Sequence, residues 1–250
     1  MHVNGQLGEL WYSEKLSDFD DYECTLAVLT RNEAIGSRAM VGRIPWAGFT
    51  EAFVVDGNST DDTRGVFEAR GIRVFCQARP GLGAAMLEAR SHCSTNGLVF
   101  FHPDGNEDPA DLMVIRAFLA TGRSFVVASR MIQGAFNEED PQLFRPRKWA
   151  NRLLGFTANR LWGSRKNRTS DVTNGLRGIT CAAWDAMGLD STDLTMDFQM
   201  VIRALKRNIT ITEFPTREGP RMAGATNFKS FDTGIAELKL IWREFVGGEK

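Results

Sequence analysis

Short runs of consecutive apolar residues recur along the chain, and each closes on a polar cluster. Cys24-Thr25-Leu26-Ala27-Val28-Leu29 runs into Thr30-Arg31-Asn32-Glu33, and Phe49 to Val55 runs into Asp56-Gly57-Asn58-Ser59. Gly71 to Phe75 precedes Pro80-Gly81-Leu82-Gly83-Ala84-Ala85, and Leu98-Val99-Phe100-Phe101 runs into His102-Pro103-Asp104-Gly105-Asn106. Ser124 to Ala128 ends on Ser129-Arg130. Unbroken apolar runs of this length are strands buried on both faces. Between them the pattern predicts helices, one capped by Ser59 to Asp62 and running to Ala69, one opening at Pro80 to Ala85, and one from about Ala110 to Ala120. Strand and helix alternating in this way imply parallel pairing through right-handed crossovers, so the class is α/β.

The second half is less regular. Arg147 to Trp162 reads as a helix with apolar positions at Trp149, Leu153, Phe156 and Leu161 and basic residues between them. Asp171 to Gly178 precedes or begins a strand, Cys181 to Met187 is a short helix, and Thr195 to Lys206 another with Asp197 in its first turn. Ile209 to Pro215 alternates as a strand that Pro215 ends, and Ser230 to Phe245 is an amphipathic helix. We expect an acidic lead-in over residues 1–22 and one domain over residues 23–250.

The strand closing at Phe101 carries the densest candidate chemistry. His102, Asp104 and Asn106 sit at i, i+2 and i+4, positions that share one side of an extended segment, so all three can converge on one divalent cation. The same residues also read as an acidic turn that ends a strand and caps the helix after Pro109. Pro80 to Ala85 allows close backbone approach to an anion at a helix N-terminus, or equally a tight loop packed on the sheet. Asp197 is a helix cap or a catalytic carboxylate.

Charge narrows the partners. A net charge of -1 speaks against a general nucleic-acid binder. From Arg145 to Ser170 lie Arg145, Arg147, Lys148, Arg152, Arg160, Arg165, Lys166 and Arg168 and no acidic residue, a segment suited to phosphate groups, an anionic membrane surface, or plain solvation. Cys24, Cys76, Cys93 and Cys181 have no metal-binding spacing and fit a reducing, cytoplasmic setting. With no signal-like start and no apolar run of about 18 residues, any membrane contact is expected to be peripheral.

Taken in order, these edges resemble the family 2 glycosyltransferases of the GT-A fold, and within them the polyprenyl-phosphate (dolichol-phosphate) mannose synthase-like branch. Asn32-Glu33 is similar to the family's NE pair, Val54 to Thr63 to its VVDDGSTDGT segment, Pro80 to Ala85 to its glycine-rich turn, and Phe101 to Pro109 to its DAD-x-Q-H-x-P metal motif. Ser129-Arg130, Asp171 to Arg177, and Glu213-Phe214-Pro215 with Arg221 resemble the family's later elements. The resemblance covers Thr25 to Lys229. It implies a Rossmann-like α/β/α sandwich with a mainly parallel central sheet. The activity implied is metal-dependent, inverting transfer of a sugar from GDP-mannose or a UDP-hexose to a polyprenyl-phosphate-type acceptor.

In that frame Thr30, Asn32, Glu33, Asp56, Ser59, Gly81, Gly83 and Asp104 would hold the nucleotide sugar, and His102, Asp104 and Asn106 the Mn²⁺ or Mg²⁺. Arg130, Arg147 and Arg221 would grip the acceptor phosphate, with Asp104, Arg130 and Asp197 as the catalytic set. One departure stands out: His102 replaces the motif's first Asp, and imidazole suits Mn²⁺ better than Mg²⁺. A phosphate acceptor is already ionised near neutral pH and needs cations rather than a base. A hydroxyl acceptor needs a base, for which Asp197 or Asp171 is available. A non-catalytic nucleotide-sugar-binding protein is the third possibility.

Overall fold

The computed structural model describes residues 21–220, 222 and 230–247. Most of the expected lead-in, Arg221 and the 224–227 loop lie outside the described residues. Seven strands form one sheet: β1 (Cys24–Thr30), β2 (Glu51–Asp56), β3 (Arg73–Cys76), β4 (Gly97–Phe101), β5 (Phe125–Ser129), β6 (Arg177–Thr180) and β7 (Ile211–Pro215), in the order β3-β2-β1-β4-β6-β5-β7. All pairings are parallel except those of β6, which runs antiparallel to both β4 and β5. The fold is therefore the mainly parallel α/β sandwich expected.

The unbroken apolar runs have the expected cause. Along β1, Leu26 and Val28 enter one core, whereas Ala27 and Leu29 enter the other. Alternation across the pleat serves two helical layers at once, so neither face can be polar. Helices α1 (Ala34–Met40), α2 (Thr63–Glu68) and α4 (Asp111–Ala120) contribute to one layer. Helices α3 (Leu82–His92), α5 (Pro146–Leu161), α6 (Cys181–Met187), α7 (Met196–Lys206) and α8 (Ser230–Val246) contribute to the other.

Two features set up the site. Neighbours of β1 depart in opposite directions along the sheet, β2 to one side and β4 to the other, so a crevice opens beyond the C-terminal ends of β1 and β4. Because β6 is antiparallel, its entry segment arrives at that same edge and brings Asp171, Asn174 and Arg177 with it.

Two features were not visible in the sequence pattern. Helix α1 is absent from the hydrophobic pattern because it buries Ala34, Gly36 and Ser37 with Met40 as its one large apolar residue, not a repeating apolar stripe. A Cβ on Gly36 would lie 2.3 Å from the Pro103 carbonyl oxygen, so the helix packs directly on the loop after β4. In α5 the apolar positions read from sequence face outward: Trp149, Leu153, Phe156 and Leu161 are exposed, and the buried face is Lys148, Asn151, Leu154, Gly155 and Ala158.

Candidate active site

A cavity of about 970 Å³ occupies the crevice. Thr30, Glu33, Gly81, His102, Asp104, Asn106, Arg130, Arg147 and Asp197 all line it, so the structure gathers nine of the expected site residues from separate elements. Asn32, Asp56, Ser59 and Gly83 are not in its walls.

Those four build the wall's support. Ser59 donates to Asp56 from its amide (2.8 Å) and hydroxyl (2.5 Å), and Asp56 is fully buried. The Asn32 amide donates to Ser59 Oγ, and Asn32 Oδ1 accepts from the Thr60 amide, both at 2.8 Å. The two strand-end loops thus latch each other. On the glycine-rich turn, the Gly83 and Ala84 amides donate to the Asp193 and Thr192 carbonyls at 3.0 and 2.9 Å. Gly81 has φ +115°, and a Cβ there would fall 2.1 Å from the Thr192 oxygen. The turn is glycine-rich because it packs on the 191–193 segment, so those two helix amides are already engaged.

At the end of β4, Asp104 and Asn106 face the cavity. Asn106 Nδ2 donates to Glu218 Oε1 at 3.2 Å, while its Oδ1 is buried without a hydrogen-bond partner. A carboxylate beside an unpartnered amide oxygen is a hard oxygen donor set that fits Mg²⁺ or Mn²⁺. Among the described residues no cluster of three His, Cys, Asp or Glu side chains forms a complete cage. Such a two-donor site suits a cation shared with substrate phosphates.

The His102 ring turns its Nδ1 to Glu107 Oε1 at 3.0 Å, and its amide donates to Glu107 Oε2 at 2.8 Å. Burial alone would lower its pKa, but the Glu107 carboxylate outweighs this and lifts it to about 9. Gly175 makes room for the ring, since a Cβ there would lie 2.4 Å from Cε1.

Of the cations expected to meet an acceptor phosphate, Arg130 and Arg147 are paired, and Arg221 lies outside the described residues. Arg130 holds Asp171 through Nε and Nη2 at 2.8 and 2.9 Å, and Glu218 through Nη1 at 3.1 Å. Fully buried Asp171 also accepts from Asn151 at 2.7 Å, and Arg130 overrides burial to hold its pKa near 2. Asp171 is therefore a closed ion-pair partner outside the cavity lining, unsuited to act as a base. Arg147 meets Glu138 at 2.8 Å, Lys148 meets Asp140, and Glu139 accepts from the first amides of α5.

Asp197 behaves differently. Its Oδ1 lies 3.2 Å from Arg177 Nε yet has no hydrogen-bond partner, and burial raises its pKa against the pull of Arg177. Glu107, Glu218 and Glu237 escaped the sequence reading. Glu33, Asp104, Glu107, Glu138, Glu139, Asp193, Asp197, Glu218 and Glu237 line the cavity against Arg31, Arg130, Arg147 and Lys148.

The family model for glycosyl transferase family 2 matches residues 46–185, more than half of the chain. The chain belongs to glycosyl transferase family 2. This family 2 chain is 28% identical over 218 residues to glycosyltransferase AglJ of Haloferax volcanii, covering 86% of the chain and 69% of AglJ. It is 35% identical over 106 residues to an uncharacterized glycosyltransferase of Mycobacterium bovis, covering 42% of the chain and 48% of that protein. In three dimensions it resembles glucosyl-3-phosphoglycerate synthase from Mycobacterium tuberculosis. The complex of that synthase with uridine diphosphate gives a TM-score of 0.71 at 17% identity, over 98% of this chain and 86% of the other. Its complex with Mn²⁺, uridine diphosphate and glucosyl-3-phosphoglycerate gives 0.71 at 17% identity, over 100% and 88%.

Proposed function

We propose that this family 2 glycosyltransferase moves a hexose, with inversion, from a nucleotide-sugar donor to a polyprenyl-phosphate-type acceptor. The observation that carries the donor half is the acidic cavity at the β1–β4 crevice with Asp104 and the unpartnered Asn106 oxygen at its floor. A diphosphate entering walls so rich in carboxylates requires a counter-charge. Asp104 and Asn106 are the residues to hold a divalent cation there, with His102 Nε2 as a third donor when unprotonated. When bound, such a cation stabilises charge on the departing diphosphate. The mycobacterial synthase solved with UDP-glucose and Mn²⁺ supports a UDP-hexose as one donor, beside GDP-mannose.

The acceptor half rests on the outer face of α5 and α8. Trp149, Leu153, Phe156, Leu238, Trp242 and Phe245 are 49–68% exposed, with Arg152, Arg160, Lys239 and Arg243 set among them. Aromatic and aliphatic groups inside a basic rim suit an anionic lipid surface. Inner residues of the same two helices, such as Lys148 and Thr233, line the cavity, so a lipid phosphate at that surface lies beside the donor site. Among the described residues no helix is long and apolar enough to cross a membrane. Replacing Trp149, Phe156 and Trp242 together by Ser should abolish sedimentation with anionic phospholipid vesicles and turnover of polyprenyl phosphate, while donor binding persists. Undiminished vesicle binding would remove the lipid-acceptor reading.

A second reading is favoured by Asp197, whose raised pKa and unpartnered oxygen suit a general base for a hydroxyl acceptor. The synthase structures with phosphoglyceric acid support that class. Asp197→Asn should abolish transfer to a hydroxyl, whereas transfer to a phosphate should lose only what donor binding loses.

A further inference from the structure

We infer that Glu237, beside Asp197, forms a sugar subsite that reads the hydroxyls of an uncharged hexose and turns away anionic sugars. The inference rests on the nucleotide-sugar reading above and extends it to the donor's sugar. Helix α8 presents two faces. Leu238, Trp242 and Phe245 point outward, whereas Thr233, Gly234 and Glu237, at i, i+1 and i+4, line the cavity.

Glu237 is only 6% exposed, yet it makes no hydrogen bond or ion pair with any described residue. Three cations of α7 and α8 are committed elsewhere. Arg203 and Lys206 from α7 pair with Glu244 at 2.9 and 3.2 Å, and Arg243 pairs with Asp190 at 3.2 Å. Burial, with the neighbouring Asp197 adding to it, pushes Glu237 up to about 7. A carboxyl kept buried without a partner destabilises the chain unless a ligand completes it.

The chemistry of that ligand follows from charge. Arg177, fully buried, fixes Asp197 from behind, donating from Nη1 to its carbonyl at 2.8 Å. Arg177 Nε, 3.2 Å from Oδ1, balances Asp197, whereas Glu237 offers its carboxylate oxygens to the cavity with no paired cation among the described residues. A diphosphate would be repelled there and belongs at Asp104 and Asn106. A neutral polyol, whose adjacent hydroxyls each donate to a carboxylate oxygen, is the complementary group. A uronate would bring a third carboxylate and be rejected.

The test is calorimetric titration of wild type, Glu237→Gln and Glu237→Ala in Mn²⁺. The probes are UDP, UDP-glucose and UDP-glucuronate, and GDP with GDP-mannose. For the nucleotide class that wild type binds, nucleoside diphosphate affinity should stay within about twofold in both variants. Affinity for the neutral nucleotide sugar should fall about tenfold or more in Glu237→Ala. In a UDP-binding protein, Glu237→Gln should also narrow the preference for UDP-glucose over UDP-glucuronate by about tenfold. Equal losses for diphosphate and nucleotide sugar would show a structural role and overturn the subsite, as would unchanged sugar affinity. If wild type binds no nucleotide at all, the donor reading falls and takes the subsite with it.

Discussion

Arg130 shows how far a residue's role can shift between sequence and structure. The family resemblance implies a phosphate clamp for it. In the fold it is the hub of a buried triad with Asp171 and Glu218, partners 41 and 88 residues away in sequence. Arg130→Met would leave the fully buried Asp171 carboxylate uncompensated and should cost about 3–5 kcal/mol in denaturant unfolding. A pure phosphate-gripping role would instead spare stability and lose only turnover. Glu237 makes the converse case. Its folded pKa of about 7 stands above the ordinary 4.5, so the fold favours the protonated form. The contribution of this group to stability is therefore most favourable below about pH 4.5, falls as pH rises toward 7, and is level above that. Glu237→Gln should remove this fall, leaving the variant about 1–2 kcal/mol more stable than wild type at pH 8 and equal to it at pH 4. A variant no more stable at pH 8 would show that the carboxylate is not held at a cost. Neither role was legible in sequence: Glu237 sits among Leu238 and Lys239 like any solvated helix residue, and ion pairs across such separations leave no local pattern.

At the level of elements, the glycine-rich turn is an interlocking surface. Gly81 combines φ +115° with a carbonyl oxygen 2.1 Å from any added Cβ, whereas Gly71 at φ +71° has nothing within 4 Å. Gly71→Ala should cost about 1–2 kcal/mol, from backbone conformation alone. Gly81→Ala should cost clearly more, because Thr192 must also move, and the difference is measurable by thermal or chemical denaturation. Strands β1, β4 and β5 were readable because burial on both faces demands unbroken apolar runs. Helix α1 was not, since close packing on the Pro103 loop selects Ala, Gly and Ser. The stripe on α5 was visible, but its direction was not, because an outward apolar face and an inward one share the same period.

For the molecule as a whole, sheet order does most to make the site. The split at β1 and the antiparallel β6 bring segments from across the chain to one edge, and the strand-end polar clusters marked that edge in the sequence. Their number and order made the fold legible, and nine of the expected residues do meet in the cavity. The sign of the cavity was hidden, because a chain of net charge -1 pairs Arg145, Arg147 and Lys148 with Glu138 and Asp140 and turns other carboxylates inward. An acidic cavity that takes a nucleoside diphosphate must take a cation with it. Calorimetric titration of the purified protein with GDP-, UDP- and CDP-sugars, each in Mn²⁺, in Mg²⁺ and in chelator, measures this directly. Binding of one nucleotide class that requires the cation and is lost in Asp104→Asn is the expected result. Binding that survives chelation, or that is unaffected by Asp104→Asn, would contradict it.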